Sequence, residues 1–346
     1  MTRGKQPTLA TAVDPIDPTP YATLTPDRIL NVIEALGYCT DGRLLALNSY
    51  ENRVYRVGLE EAPALVAKFY RPGRWSDEAI VEEHAFALEL ARAEIPVVPP
   101  LATPTGETLH CADELRFALY PNRPGRQPEL DDGDVLRWIG RFIARIHSLG
   151  KVKRFRARKT LTAAEFGHAA VAYIKQTKFL PSELSPAYES VTAAALQAID
   201  LAFANCGPLR QLRLHGDCHP GNILWTQAGP HFVDFDDCMM GPAIQDLWML
   251  LAGDREDSTR QLEALLSGYE AFCAFDPSEL SLIEPLRTLR IIHYTAWLAR
   301  RWDDPAFPHN FPWFNTQRYW QDHILTLREQ LGAMQEPTLV YMPVGH

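Results

Sequence analysis

Apolar positions in residues 26–36 recur at helical spacing. In PDRILNVIEAL, Ile29, Val32, Ile33 and Leu36 share one face, Thr25 offers an N-cap, Pro26 fits the first helical position and Gly37 supplies a stop. The pattern predicts a helix there. Residues 1–24 carry Thr, Pro and Ala without apolar periodicity and read as a mobile leader. From about 44 to 120 the period shortens: RLLALNSYENRVYRVGL, ALVAKFY and LRFALY read as strands, interrupted by the helical stretch SDEAIVEEHAFALELARAEI. Beyond PNRPG at 121–125 helical patterns dominate, in DVLRWIGRFIARIHSLG, over 161–204 and 243–273, and in SLIEPLRTLRIIHYTAWLARRW. The expectation is an α+β chain with a sheet-rich lobe over 25–121, a mostly helical lobe over 122–335, a hinge at 121–125 and a tail at 336–346.

One stretch breaks the helical pattern. In LRLHGDCHPGNILWTQAGPHFVDFDD, residues 212–237, NILWT and HFVDF read as two strands joined by the turn sequence QAGP. If they pair as a hairpin, Asn222 and Asp234 return to the same end. Strand alternation would then point Asp234 and Asp236 to one side and Phe235 to the other, beside the loop that carries Asp217. Clustered carboxylates repel, so such a site needs a cation or shifted protonation, and an all-oxygen donor set suits Mg²⁺ accompanied by substrate phosphates. Zinc would have to use His215, Cys218 or His219, which lack a familiar ligand spacing. The order H-x-D-x-x-x-x-N followed by a strand ending in D-F is that of phosphotransferases, with Asp217 taking the acceptor proton and Asn222 and Asp234 holding metal. Asp246, in GPAIQDLWML, reads either as a brace accepting backbone hydrogen bonds from the catalytic loop or as a plain helix-start acid.

These residues, LHGDCHPGNILW, VDFDD and GPAIQDLW, resemble the aminoglycoside phosphotransferase and choline kinase superfamily, a branch of the protein-kinase-like fold. LNSYENRVYRV, VAKFYRPGRWSDEAIVEEHAFALELA and AWLARRWDDPAFPHNFPWF are similar, more closely, to the bacterial stress response kinase A family, over about residues 25–330. The resemblance implies a bilobal, monomeric, cytoplasmic, ATP-dependent serine/threonine protein kinase acting under stress. By the same match Asp217 is the catalytic base, Asn222 and Asp234 are the Mg²⁺ ligands, Asp236 is a further candidate ligand, and Ser49 contacts nucleotide. Gly216 stands where eukaryotic catalytic loops carry Arg, and Asp236 where they carry the Gly of D-F-G.

Lys68 sits in the apolar run ALVAKFY, an expensive place for an ammonium without a partner. A kinase uses such a lysine on the ATP phosphates and steadies it with an acid from the next helix; an edge-strand lysine opposing aggregation is the plainer alternative. Of the two acids available, Glu83 shares a face with Ile80, Phe86, Ala87 and Leu90, whereas Glu82 is rotated away. The loop LNSYENRV has no glycine, so phosphates are not cradled there in the usual way; the Ser49 hydroxyl and nearby amides remain as donors, with Asn48 and Asn52 tolerant of turn geometry.

Composition narrows the partners. With 34 basic and 43 acidic residues and a formal charge of -9, the chain does not read as a nucleic-acid binder. No apolar run approaches the roughly 20 residues of a membrane span, and the 6 cysteines lack C-x-x-C spacing, which points to a reducing, cytoplasmic setting. Cys218 and Cys238 flank the proposed site, as packing residues or redox-sensitive thiols. KVKRFRARK at 151–159 reads as a solvated loop or a docking site for an acidic protein. His147 reads as a packed helix-end residue without chemistry. RRWDDPAFPHNFPWF reads as a cap on the helical lobe or as a lip of the acceptor cleft with Arg300, Arg301 and Trp302 as contacts. The leading reading is a protein kinase using MgATP; the competitors are a small-molecule alcohol kinase and a nucleotide-binding regulator without transfer activity.

Overall fold

The computed structural model describes residues 20–341. The expected leader therefore lies outside the described residues except for 20–24, where Tyr21 is anchored: its hydroxyl donates to the carbonyls of Glu51 and Phe69, and Arg53 lies 4.5 Å over its ring. Of the tail, 342–346 lie outside, while Tyr341 is buried and donates to Glu270 at 2.7 Å.

Helix α1 (Pro26–Glu34) starts as its sequence predicts, with the Thr25 hydroxyl accepting from the Arg28 amide, and buries Ile29 and Ile33. It covers a five-stranded antiparallel sheet built from β1 (Thr40–Ala46), β2 (Arg53–Leu59), β3 (Leu65–Phe69), β4 (His110–Ala112) and β5 (Leu115–Pro121), in the order β1-β2-β3-β5-β4. Val57, Ala67, Phe69, Phe117 and Leu119 fill the core beneath α1, with Phe69 and Phe117 stacked at 5.2 Å. Lys68 belongs to β3, flanked in register by Val54 and Ala118, so its side chain leaves the opposite sheet face from Ala67 and Phe69. Helix α2 (Asp77–Arg92) crosses that face. Its Phe86 meets Phe155 and Phe235 edge-on, which joins α2 to the large second core.

That core is helical: α3 (Gly133–Gly150), α4 (Ala169–Gln176), α5 (Ser185–Asn205), α6 (Arg255–Tyr269), α7 (Ile283–Arg300), α8 (Ala306–Asn310) and α9 (Gln317–Ala333). Helices α3 and α6 touch backbone to backbone because Gly140 and Gly268 face each other's partners: a Cβ on Gly140 would lie 2.1 Å from the Leu265 carbonyl, and one on Gly268 2.0 Å from that of Arg137. The sequence pattern overran the helices in two places. The 161–204 run is interrupted between α4 and α5, where Pro181 removes an amide donor, and Ala243–Asp246 and Trp248–Leu250 form short 3₁₀ turns before α6 begins at an Asp254 capping box. Strand β4, three residues long, and α9, whose face mixes Trp320, Ile324 and Leu327 with charges, went unpredicted.

Two small ribbons are set into the helical region: β6 (Leu212–Leu214) with β9 (Met239–Gly241), and β7 (Ile223–Thr226) with β8 (Gly229–Phe232). The second is the hairpin read from NILWT and HFVDF, with a tighter turn. Its loop is only Gln227 and Ala228, and β8 ends at Phe232.

Candidate active site

The hairpin does return Asn222 and Asp234 to one end, where the Val233 amide donates to the Asn222 carbonyl at 3.0 Å. The route to Asp236 differs from the expected alternation. Asp234 takes left-handed backbone angles (φ 59°, ψ 66°), and residues 235–237 form a single 3₁₀ turn rather than strand. His215 fastens this corner by bonding the Val233 carbonyl at 2.8 Å and packing 4.5 Å from the Phe235 ring. The Asp234 side chain thus stays 54% exposed, while that of Asp236 turns inward and is 5% exposed.

Lys68 is the meeting point. Its ammonium lies 3.0 Å from Asp234, 3.2 Å from Asp236 and 3.6 Å from Glu83. Burial by itself would strip its proton, but the three carboxylates outweigh that and hold its pKa well above the ordinary lysine range. Glu83 is buried on α2 and also accepts from Arg158 at 2.8 Å. Glu82 does something else: its carboxylate accepts the backbone amides of Arg156, Ala157 and Arg158 and pins the basic loop to the start of α2. Part of KVKRFRARK is therefore structural, since Arg158 is buried and also bonds the carbonyls of Ala79 and Asp236.

Asp236, expected as a possible metal ligand, is surrounded by donors. Arg74 pairs with it directly, Lys68 approaches from the other side, and Asn52 donates to it at 3.1 Å. Burial alone would raise its pKa; Arg74, Lys68 and Arg158 reverse that and hold it well below the ordinary carboxylate range. Asn52 is buried and, at its other end, accepts the Arg71 amide, so it ties the β1–β2 loop to the Asp236 turn. It serves as a connector; neither it nor Asn48 adopts the left-handed turn geometry. Ser49, in that loop, donates to the Asn52 carbonyl at 3.1 Å.

The loop carrying Asp217 is braced from below. Asp246 is fully buried and accepts the amides of His215 and Gly216, both at 2.8 Å, and His147 reaches it at 3.0 Å while bonding the Tyr269 hydroxyl at 2.8 Å. The brace reading of Asp246 is the geometry found, and His147 is part of it. Gly216 has φ 87°, and a Cβ there would lie 2.2 Å from the Asp237 carbonyl, so the loop requires glycine. Asn222 donates to the Asp217 carbonyl at 2.9 Å. The Asp217 carboxylate pairs directly with Arg290 and lies 3.6 Å from His219. Burial pushes its pKa up, and Arg290 and His219 pull it further down, below the usual value.

In front of Asp217 opens a cavity of about 480 Å³ whose walls include Trp75, Phe166, His293, Tyr294 and Trp297. Arg300 and Arg301 line it, as the lip reading expects. Trp302 does not: it packs on Phe179 and Phe314 as part of the cap. Sequence reasoning passed over Arg74, Arg158 and Arg290 as site residues and read Asn52 only as a turn residue. The one available signal was charge balance, since a buried Glu83 and two neighbouring acids call for more cation than Lys68 provides.

Comparison with known proteins decides the affiliation. A model of the phosphotransferase enzyme family matches residues 43–283. The chain belongs to this family. It is 44% identical over 324 residues to the serine/threonine protein kinase RdoA of Salmonella typhimurium, and 43% identical over 324 residues to the stress response kinase A of Escherichia coli K12, in each case covering 94% of this chain and 98% of the relative. Among solved structures it is similar to an amicoumacin kinase in complex with AMP-PNP, Ca²⁺ and its ligand (TM-score 0.69, 18% identity, 91% of this chain and 96% of that one). It is also similar to a spectinomycin phosphotransferase in complex with ADP and spectinomycin (TM-score 0.65, 14% identity, 89% and 98%). The kinase-like fold and the ATP-dependent kinase activity read from the sequence stand on these findings. No helix among the described residues is long and apolar enough to cross a membrane.

Proposed function

We propose that this protein is a serine/threonine protein kinase of the stress response kinase A type, transferring the γ-phosphoryl group of MgATP to protein hydroxyls. The observation that carries this is Lys68 held within 3.6 Å of Glu83 and 3.0 Å of Asp234, with Asn222 hydrogen-bonded to the Asp217 loop at the adjoining hairpin end. The names of the relatives at 43–44% identity support the protein acceptor and the stress setting.

The residues present fit Mg²⁺. Asn222 uses its NH₂ on the Asp217 carbonyl, which leaves its side-chain oxygen free for the cleft, and Asp234 keeps an oxygen beyond the one facing Lys68. These are hard donors, few enough to require phosphate oxygens beside them, as Mg²⁺ sites in phosphotransferases do. Among the described residues no group of three or more His, Cys, Asp or Glu side chains is disposed to hold a metal unaided. When bound, the ion supplies neutralisation of the phosphate charge. Asp236, paired with Arg74 and Lys68 and accepting from Asn52, is assigned to positioning Lys68 rather than to the metal.

Lys68 grips the α- and β-phosphates, and Glu83 keeps its ammonium aimed. Ser49 would meet the nucleotide from the β1–β2 loop by turning its hydroxyl away from the Asn52 carbonyl. Asp217 orients the acceptor hydroxyl and takes its proton as the oxygen–phosphorus bond forms and ADP departs. Most of the rate comes from positioning and charge complementarity. The protein is proposed to act in the cytoplasm as a monomer, with lobes over 25–121 and 122–335 meeting at 121–125. The test is labelled ATP with Mg²⁺ offered to protein substrates and to small alcohols: label on Ser or Thr, lost in Asp217→Ala, supports the reading. Label on small alcohols alone replaces it with the small-molecule kinase.

A further inference from the structure

The cavity before Asp217 carries a charge opposite to that of the whole chain. Arg71, Arg74, Lys159, Arg290, Arg300 and Arg301 line it, against Glu51, Asp217 and Asp237, although the protein's formal charge is -9. Most of these cations are already matched. Arg71 pairs with Asp304 at 2.8 Å, Arg74 with Asp236 and Asp237, Lys159 with Glu165 at 2.5 Å, and Arg301 with Glu51 at 2.6 Å. Arg300 is different. Among the described residues no carboxylate lies within ion-pair distance of it, and its guanidinium rests over the Tyr173 ring at 4.7 Å. Burial disfavours its charge, with Tyr173 and Glu165 opposing only in part.

Two further observations point to a missing occupant. His293, about two helical turns before Arg300 on α7, lines the same cavity and has a buried Nδ1 with no hydrogen-bond partner. Arg290, on the same helix, spends its charge on Asp217, the one carboxylate that must be released to meet an acceptor hydroxyl. An incoming anion would satisfy Arg300 and compete for Arg290, so it would free Asp217 at the moment the acceptor arrives. A cationic acceptor would meet the unmatched guanidinium and be repelled.

We infer that the acceptor taken by this cavity is an acidic peptide segment, with an Asp or Glu side chain close to the phosphorylated Ser or Thr, and that Arg300 is its specificity-determining contact. The inference rests on the proposed kinase function and names the substrate class of the same site. The Arg300 side chain holds the acceptor's carboxylate, and the aromatic walls formed by Phe166, Tyr294 and Trp297 cover the segment's apolar atoms.

The experiment uses three Ser-containing peptides that differ only in flanking Glu, Gln or Lys, with glycerate as a small carboxylate alcohol. The full chain is assayed with MgATP. The expected kcat/KM ranks Glu over Gln over Lys, and the Glu-over-Gln ratio falls by about 10- to 100-fold in Arg300→Gln, while Arg300→Lys restores part of it. In parallel, binding of the labelled Glu peptide with its Ser replaced by Ala is measured in the presence of ADP and Mg²⁺, which needs no turnover. Preferential binding of this peptide over its Lys counterpart, lost in Arg300→Gln, supports the inference even if no peptide is phosphorylated; in that case the kinase reading alone fails. Equal binding of the Glu and Lys peptides, an unchanged ratio in Arg300→Gln, or turnover of glycerate without preferential binding of the Glu peptide overturns it.

Discussion

Arg290, from the middle of α7, pairs directly with the Asp217 carboxylate of the loop before β7. The pair keeps the proposed base ionised: burial favours the neutral acid, and the guanidinium, with His219 behind it, overrides that preference. The acid limb of the kcat/KM profile should therefore lie below the ordinary carboxylate range. Arg290→Gln removes the largest charge opposing burial and should move that limb upward. A pH–rate profile of both proteins checks this, and an unmoved limb would detach Arg290 from the base.

Replacing Asp217 by Asn keeps the shape of the loop and removes the proton acceptor. The expected loss in kcat is about 10²- to 10⁴-fold, with the KM for ATP little altered because Asp217 faces the acceptor cavity. Steady-state kinetics separates the two parameters.

Asp234→Asn acts on the other substrate. It removes both a partner of Lys68 and an exposed oxygen proposed for Mg²⁺, so the affinity for ATP and the Mg²⁺ concentration needed for half-activity should worsen together. Titrating each against the other gives the answer; a defect in kcat alone would contradict the assignment.

Asp246→Ala leaves the buried amides of His215 and Gly216 and a buried His147 nitrogen without their acceptor. A buried donor left without its acceptor costs about 1–3 kcal/mol, and several are left here, so the melting temperature should fall markedly. The fraction that remains folded should show a depressed kcat because the Asp217 loop has lost its brace. Thermal melts and active-site-normalised rates test both parts.

Glu279 gives a pH signature away from the cleft. Burial lifts its pKa to about 7, against the pull of backbone donors that include the Ile244 amide at 2.9 Å. The folded form then holds a proton that the unfolded chain releases near the ordinary glutamate value, so the folded state binds more protons in that interval and stability falls as pH rises toward about 7. Glu279→Gln should flatten that fall. Denaturant midpoints at pH 5 and pH 7.5 measure it, and parallel curves for the two proteins would refute it.

Local pattern was enough for the α1 cap, four of the five sheet strands, α2 and the hairpin that returns Asn222 beside Asp234, because each rests on side-chain period and turn chemistry within a few neighbours. The order of Lys68, Asp217, Asn222 and Asp234 was likewise written in the chain, since their spacing follows from strand and loop lengths. Only tertiary structure decided what surrounds them. Asn52 meets Asp236 across 184 positions, Arg290 meets Asp217 across 73, and Arg158 leaves a basic loop to become buried beside Glu83. Pattern reading treats a polar residue as solvated by default. Whether it is instead buried and paired depends on which distant charge the fold brings within a few ångströms, and that proximity has no signature in the neighbouring sequence.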